Sequence, residues 1–211
     1  MRRFFTSESV TNGHPDKVCD QIADGILDEL IKQDPMSRSA CEVIAEPGAV
    51  HIMGEITTKA KVDYIDIARR VIKSIGYTKP EYGFDENASI TCSLHEQSGD
   101  IAMGVNNSYS DSSTLGAGDQ GMMFGYASDE GDEYMPLAMN LARKLTMRLT
   151  DLREDGTLPY LRPDGKSQVT VEYDDRKPVR IEAVVISAQH DPDVSLEKLR
   201  EDIRKHVIDP V

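Results

Sequence analysis

The chain is expected to fold as an α+β protein in which helices cover mostly antiparallel sheets, and three observations lead there. A hairpin pattern followed by a helical pattern occurs twice, over about residues 38–75 and 166–207. Two further stretches, 15–31 and 137–149, carry apolar residues at helical spacing. An apolar share of 39% beside 29% charged residues is the composition of a globular chain. Its 211 residues can bury roughly 70% of the surface the unfolded chain exposes, enough for one large domain or two small ones.

In chain order, Val18, Ile22, Ile26, Leu27, Leu30 and Ile31 fall on one helical face, with Pro15 suited to the first helical position and Asp34-Pro35 as the stop. Cys41, Val43 and Ala45 alternate with Ala40, Glu42 and Ile44. Glu46-Pro47-Gly48 then turns the chain, and Val50, Ile52, Gly54 and Ile56 alternate with His51, Met53 and Glu55, which reads as a hairpin. Tyr64, Ile67, Ala68, Val71, Ile72 and Ile75 make an amphipathic helix that Asp63 can cap and Gly76 can close. A strand follows over 88–94. From His95 to Leu115 periodicity gives way to Ser, Asn, Gly and Asp, the mark of a linker or of a lid over a site. Leu137, Leu141, Leu145 and Leu149 restore a helix. Val169, Val171 and Tyr173, then Val179, Ile181, Ala183 and Val185, form a second hairpin around Asp174-Asp175. Leu196, Leu199, Ile203 and Val207 make a last helix behind Ser195.

Charge and cysteine usage narrow the partners. A net charge of −13 opposes binding to nucleic acid or to an anionic membrane, since phosphate would be repelled except at a local basic patch, and favours a small ligand. Cys19, Cys41 and Cys92 form no Cys-x-x-Cys pair and no zinc spacing with the five histidines, which points to a reducing, cytoplasmic compartment. No apolar run approaches membrane-spanning length. Met1-Arg2-Arg3 precedes only two phenylalanines, so the start is not read as a signal peptide.

Four segments carry plausible chemistry. Gly116-Ala117-Gly118-Asp119-Gln120-Gly121 sets three glycines around one carboxylate, allowing bare backbone to approach a ligand while Asp119 receives an ammonium group. In Gly13-His14-Pro15-Asp16-Lys17 a helix N-terminus presents unpaired N–H groups beside an imidazole, a carboxylate and an ammonium. Such a corner can hold a polyphosphate with Mg²⁺ on Asp16, or be a helix cap with surface charges. Arg162-Pro163-Asp164-Gly165-Lys166 reads as a turn bringing Asp164 and Lys166 together, able to grip a ribose hydroxyl and a phosphate or to serve as an ordinary hairpin turn. Glu42 and Glu55 lie on opposed strands of the first hairpin. Pointing inward they need cations, and pointing outward, the simpler reading, they need no explanation.

Together these pieces resemble the S-adenosylmethionine synthetase (methionine adenosyltransferase) family. The resemblance rests on Phe5-Thr6-Ser7-Glu8-Ser9-Val10 through Lys17, on Gly54-Glu55-Ile56-Thr57-Thr58, on Gly116 through Ala127, and on Leu161 through Thr170, in the family's order over nearly the whole chain. It implies transfer of the adenosyl group of ATP to the sulfur of L-methionine, then hydrolysis of tripolyphosphate, with Mg²⁺ and K⁺ as cofactors. By similarity His14 and Lys166 are the catalytic, triphosphate-contacting residues, and Asp164 and Gly165 belong to the ATP-binding turn. Asp16 matches the Mg²⁺ ligand, Glu42 the K⁺ ligand, and Glu55, Gln97 and Asp119 the methionine contacts. Residues 97–109 match a mobile gating loop. The resemblance further implies an N-terminal domain over 1–109, a central domain over 110–211, a third domain beyond this chain, and a homodimer or homotetramer with sites at the dimer interface. Gly99 and Met103 depart from the Pro and Gln common in the family loop. A thioether nucleophile has no proton to lose, so no general base is needed, and alignment and stabilisation of the leaving phosphate carry the chemistry. A portion lacking the later residues of the family can also be read as a non-catalytic dimerisation or ligand-binding module.

Overall fold

The computed structural model describes residues 1–106 and 121–211. Two three-stranded sheets organise two contact units. Unit 1 comprises Met1–Val18, Ile72–Asp85 and Tyr126–Val211, and unit 2 comprises Cys19–Val71 and Glu86–Gly125.

Unit 1 is built on strand β1 (Arg2–Val10), strand β5 (Leu161–Asp174) and strand β6 (Lys177–His190), with β5 in the centre and both neighbours antiparallel to it. Helix α4 (Leu137–Glu154) and helix α5 (Leu196–Ile203) belong to the same unit. Ala138, Ala142, Leu145, Leu149 and Leu152 of α4 share one core with Val169, Val171 and Tyr173 of β5 and with Leu199, Ile203 and Val207. Burial of each large aliphatic chain there stabilises by about 1.5–3 kcal/mol before entropy is counted. The Ser195 hydroxyl accepts the Lys198 N–H and caps α5, and a π-helical turn over Arg204–Ile208 extends it. Glu172, 2% exposed, pairs with Arg180 at 2.6 Å and Arg2 at 3.3 Å.

Unit 2 is built on strands β2 (Arg38–Glu46), β3 (Ala49–Thr57) and β4 (Ser89–His95), in that order across the sheet. The β2–β3 pair is the expected hairpin, turning at Gly48 with φ +76°. Helix α1 (Pro15–Gln33) and helix α2 (Tyr64–Ile75) start and stop where the sequence signals place them. Pro15 opens α1, and the Asp63 carboxylate accepts the N–H groups of Ile65 and Asp66 at 3.0 Å to cap α2. At their crossing, Gly25 leaves room for Val71, whose Cγ2 stands 2.9 Å from where a Cβ would sit.

Five features depart from the sequence reading or go beyond it. β1 was not expected, because Phe4 and Phe5 are adjacent and both exposed, and polar residues surround them, leaving no period-two signal. β4 runs parallel to β3, a direction the strand pattern alone does not set, the chain returning through α2, so the second sheet is mixed within the mostly antiparallel fold expected. A short helix α3 (Gly99–Asn106) replaces part of the aperiodic stretch, since Asp100, Ala102 and Met103 are compatible with a helix despite the absence of an apolar stripe. Ile31, grouped with the buried face of α1, is 44% exposed, whereas Val18, Ile22, Ile26 and Leu30 are buried. Finally, Asp164-Gly165-Lys166 is not a hairpin turn. It lies inside β5, next to a register irregularity between Leu161 and Gly165, and the turn of that hairpin falls at Asp174-Asp175. No helix among the described residues is long and apolar enough to cross a membrane.

Candidate functional site

The first candidate site is a corner of unit 1 where the end of β1 meets β5. Thr11, 5% exposed, ties the two segments: its N–H donates to the Gly165 carbonyl at 2.9 Å and its hydroxyl to the Pro163 carbonyl at 2.7 Å. Gly13 then passes so close to Pro163 that an added Cβ would lie 2.3 Å from Pro163 Cβ and 2.4 Å from its carbonyl carbon and oxygen. Only a residue without a side chain fits this passage. The Tyr77 hydroxyl donates to the Gly13 carbonyl at 2.5 Å, and the Tyr77 ring packs edge-on against Phe84 at 5.2 Å. Arg162 stacks over the Tyr82 ring at 4.7 Å and pairs with Asp191 at 3.0 Å. Position by position, backbone and aromatic packing fix where His14 and Asp164 lie.

His14 stands at the N-terminal edge of α1. Its Nδ1 accepts the Asp16 N–H at 3.2 Å, and its carbonyl accepts the Val18 N–H at 2.9 Å. An accepting Nδ1 requires the tautomer with its proton on Nε2, leaving Nε2–H as a donor for an anion at the helix N-terminus. Nδ1 also stands 3.7 Å from the Asp16 carboxylate. The Asp16 side chain is 86% exposed and points away from the core.

Asp164 and Lys166, two residues apart on β5, share a face of the strand. The Asp164 Oδ1 is buried and has no hydrogen-bond partner among the described residues. Burial pushes its carboxyl above the usual range, offset in part by nearby His14 and Lys166 and by the Gly165 N–H. A buried acceptor left unsatisfied is costly, so this oxygen is prepared for a donor from outside the chain. Asp164, Gly165 and Lys166 also border, with Ser187, Ala188 and Gln189, an open depression of about 240 Å³.

The second candidate set lies on unit 2. Val50, Ile52 and Ile56 of β3 are buried, so Glu55 and, across the hairpin, Glu42 occupy the opposite face, as the simpler reading expected. Glu55 is level with Ala40 on β2 and with His95 on β4, whose Nε2 stands 3.7 Å from the Glu55 carboxylate. The Arg38 guanidinium donates to the Gln97 amide oxygen at 3.5 Å, while its Nε is buried without a partner among the described residues. Gly54, beside Glu55, has φ +119°, and a Cβ there would lie 2.1 Å from the Ala40 carbonyl oxygen. Asp119 lies outside the described residues. Among the described residues, no group of three or more His, Cys, Asp or Glu side chains converges as for a metal ion. Single exposed carboxylates such as Asp16 nevertheless fit Mg²⁺, which keeps several waters and takes one or two carboxylates together with substrate phosphates.

Sequence reasoning missed Thr11, Tyr77, Arg38 and His95 as supporting residues, and named Pro163 only as part of the Arg162–Lys166 segment. Only Thr11, next to Asn12-Gly13, carried a local signal, that of a turn.

The fold defines an α+β chain with repeated sheet-and-helix units whose candidate ligand residues lie at a helix N-terminus and along strands. Family comparison makes this specific. The model for the N-terminal domain of S-adenosylmethionine synthetase matches residues 2–99, and that for its central domain matches residues 114–211. The chain belongs to the S-adenosylmethionine synthetase family. It is 53% identical over 219 aligned positions to the S-adenosylmethionine synthase of Clostridium tetani (strain Massachusetts / E88), covering all of this chain and 56% of the relative. It is 52% identical to that of Clostridium botulinum (strain Alaska E43 / Type E3), with the same coverage. The chain thus spans little more than half the length of these relatives.

Proposed function

We propose that this chain supplies part of an enzyme that forms S-adenosylmethionine from ATP and L-methionine, the methionine sulfur displacing tripolyphosphate from C5′, with the tripolyphosphate then hydrolysed to phosphate and diphosphate. The observation that supports this most directly is the unsatisfied Asp164 Oδ1 beside Lys166 and His14. A sugar hydroxyl would satisfy the first, and a triphosphate the other two.

In this reading His14 donates through Nε2–H, and Lys166 places a fixed ammonium where negative charge gathers on the leaving oxygen. Asp16 would hold Mg²⁺ together with the phosphates, and Glu42 would hold K⁺. Mg²⁺, when bound, neutralises charge on the phosphate oxygens. Glu55, Gln97 and Asp119 receive the amino acid, carboxylates meeting its ammonium and later lying near the sulfonium. A net charge of −13 makes these local cations necessary for an anionic substrate. The reading carries with it domains over 1–109 and 110–211, a gating role for residues 97–109, a homodimer or homotetramer, and a cytoplasmic setting.

The test is to incubate the chain with ATP, methionine, Mg²⁺ and K⁺ and to measure S-adenosylmethionine by mass spectrometry against a Lys166→Ala control, then to repeat the comparison in the complete protein. Lys166→Ala should lower kcat more than it raises the methionine KM. Turnover unchanged by Lys166→Ala in the complete protein would remove Lys166 from the triphosphate role. Product absent in both would leave a ligand-binding module as the better description.

A further inference from the structure

The exposed face of β2, β3 and β4 holds a charged arrangement that the proposed reaction does not yet use. His95 ends β4 level with Glu55 in β3, and its Nε2 lies 3.7 Å from Glu55 Oε1. Glu55 is 34% exposed and His95 67%, so both can meet a ligand. Resting on the reading of Glu55 as an ammonium acceptor, we propose that His95 is a positioning residue for the amino-acid substrate, setting how strongly the Glu55 carboxylate holds the substrate ammonium.

The argument is one of competition. A carboxylate shared between an imidazolium and an ammonium binds each less well than it would bind either alone, because the first cation already offsets its charge. A neutral imidazole leaves the charge of the carboxylate unoffset. An imidazole exists in both the protonated and the neutral form, so the same residue can act in both ways. The other charged groups on this face are accounted for. From β3, His51 is engaged at both ring nitrogens, by Thr91 at 2.6 Å and Ser93 at 3.3 Å. From β2, Arg38 bonds Gln97, and Glu42 lies level with Met53, further along the strand from Glu55. Glu96 follows His95 just past the end of β4. Among the described residues, His95 is thus the cationic or neutral neighbour that the geometry gives to Glu55.

Exposed ion pairs of this kind are worth up to about 1 kcal/mol, which corresponds to an effect on binding of up to about fivefold. The experiment measures the methionine KM and kcat of the complete protein at pH 6 and pH 8 for wild type, His95→Gln, His95→Lys and Glu55→Gln. His95→Lys, charged at both pH values, should raise the methionine KM about two- to fivefold over His95→Gln, with kcat moving less than KM. The ratio of KM at pH 6 to KM at pH 8 should be larger in wild type than in His95→Gln. Equal KM values for the Lys and Gln variants, with the wild-type pH profile kept in both, would overturn the role of His95. Glu55→Gln separates the two levels. If it leaves the methionine KM unchanged, the reading of Glu55 fails and the proposal falls with it. If it raises KM while His95 variants match wild type, only His95 is overturned.

Discussion

Replacing Gly13 with alanine isolates the contact on which the first candidate site depends. The added methyl group would lie 2.3–2.4 Å from three atoms of Pro163, two of them backbone. That is more than 1 Å inside the roughly 3.5 Å at which carbon atoms come to rest. A flexible side chain could swing aside, but a proline in a strand cannot, so the segment 11–14 must move away from β5. Overpacking of this kind costs about 1–3 kcal/mol. Losing one of the bonds that Thr11 and Tyr77 make across the same passage would add about 1 kcal/mol. The expected loss is therefore about 2–4 kcal/mol, or a fall in Tm of at least about 4 °C for a chain of this size. Urea unfolding gives the free energy directly, provided the m-value stays constant. Gly48→Ala is the control, because Gly48 has φ +76° but an added Cβ meets no heavy atom of the described residues within 4 Å, and so carries only the conformational cost of about 1 kcal/mol. The same displacement carries His14 away from Asp164, so ATP affinity should fall more than methionine affinity. A Gly13→Ala chain as stable as wild type, with unaltered ATP binding, would refute both the contact and its bearing on the site.

Two further outcomes follow from the carboxylates of unit 1. The folded chain holds the Asp164 proton more tightly than the unfolded chain does, so ionisation costs stability as pH rises from the ordinary aspartate range through the raised folded value. Asp164→Asn should accordingly be more stable than wild type at pH 7 by urea midpoint, with the difference fading below about pH 4, while ATP binding is weakened; lower stability at pH 7 would contradict the burial argument. Glu130 behaves in the opposite sense. Burial works against its ionisation, but donors from Tyr173 at 2.5 Å, the Leu137 N–H at 3.1 Å and Ser128 at 2.9 Å outweigh it and hold the carboxyl below its usual range. Its contribution is present above the unfolded carboxyl range and is lost as pH falls through the lowered value. Glu130→Ala removes the acceptor of the Leu137 N–H at the start of α4, so about 1 kcal/mol should go, with faster amide exchange over 126–136 at pH 7 and a gap to wild type that narrows in acid. Unchanged exchange there would show that Glu130 does not fasten the segment.

The helices were legible because their signals are local. Pro15 marks a start by its fixed φ, Asp63 and Ser195 by bonds that reach only three residues along the chain, and the buried face of each helix repeats within a few turns. The same holds for both hairpins, whose strands are joined by short turns. What stayed hidden is non-local. β1 exists because its backbone pairs with a strand more than 150 residues away, from Arg2 beside Asp174 to Val10 beside Lys166, and no alternation in β1 itself records that partnership. The candidate site shares this dependence. His14, Asp164 and Lys166 are each visible as reactive residue types, but what relates them is the passage of Gly13 over Pro163 and the bonds of Thr11 to the backbone of β5. The turn assigned to Asp164-Gly165-Lys166 failed for that reason: the sequence Asp-Gly has a strong local preference for turns, and the pairing of β5 with strands on both sides overrode it. Glycine at 13 and glycine at 165 look alike in a sequence, yet the first is required by a backbone at 2.4 Å and the second faces contacts no closer than 3.2 Å. A substitution series at these two positions therefore separates local preference from tertiary demand, since Gly165→Ala should be tolerated with small shifts where Gly13→Ala is not.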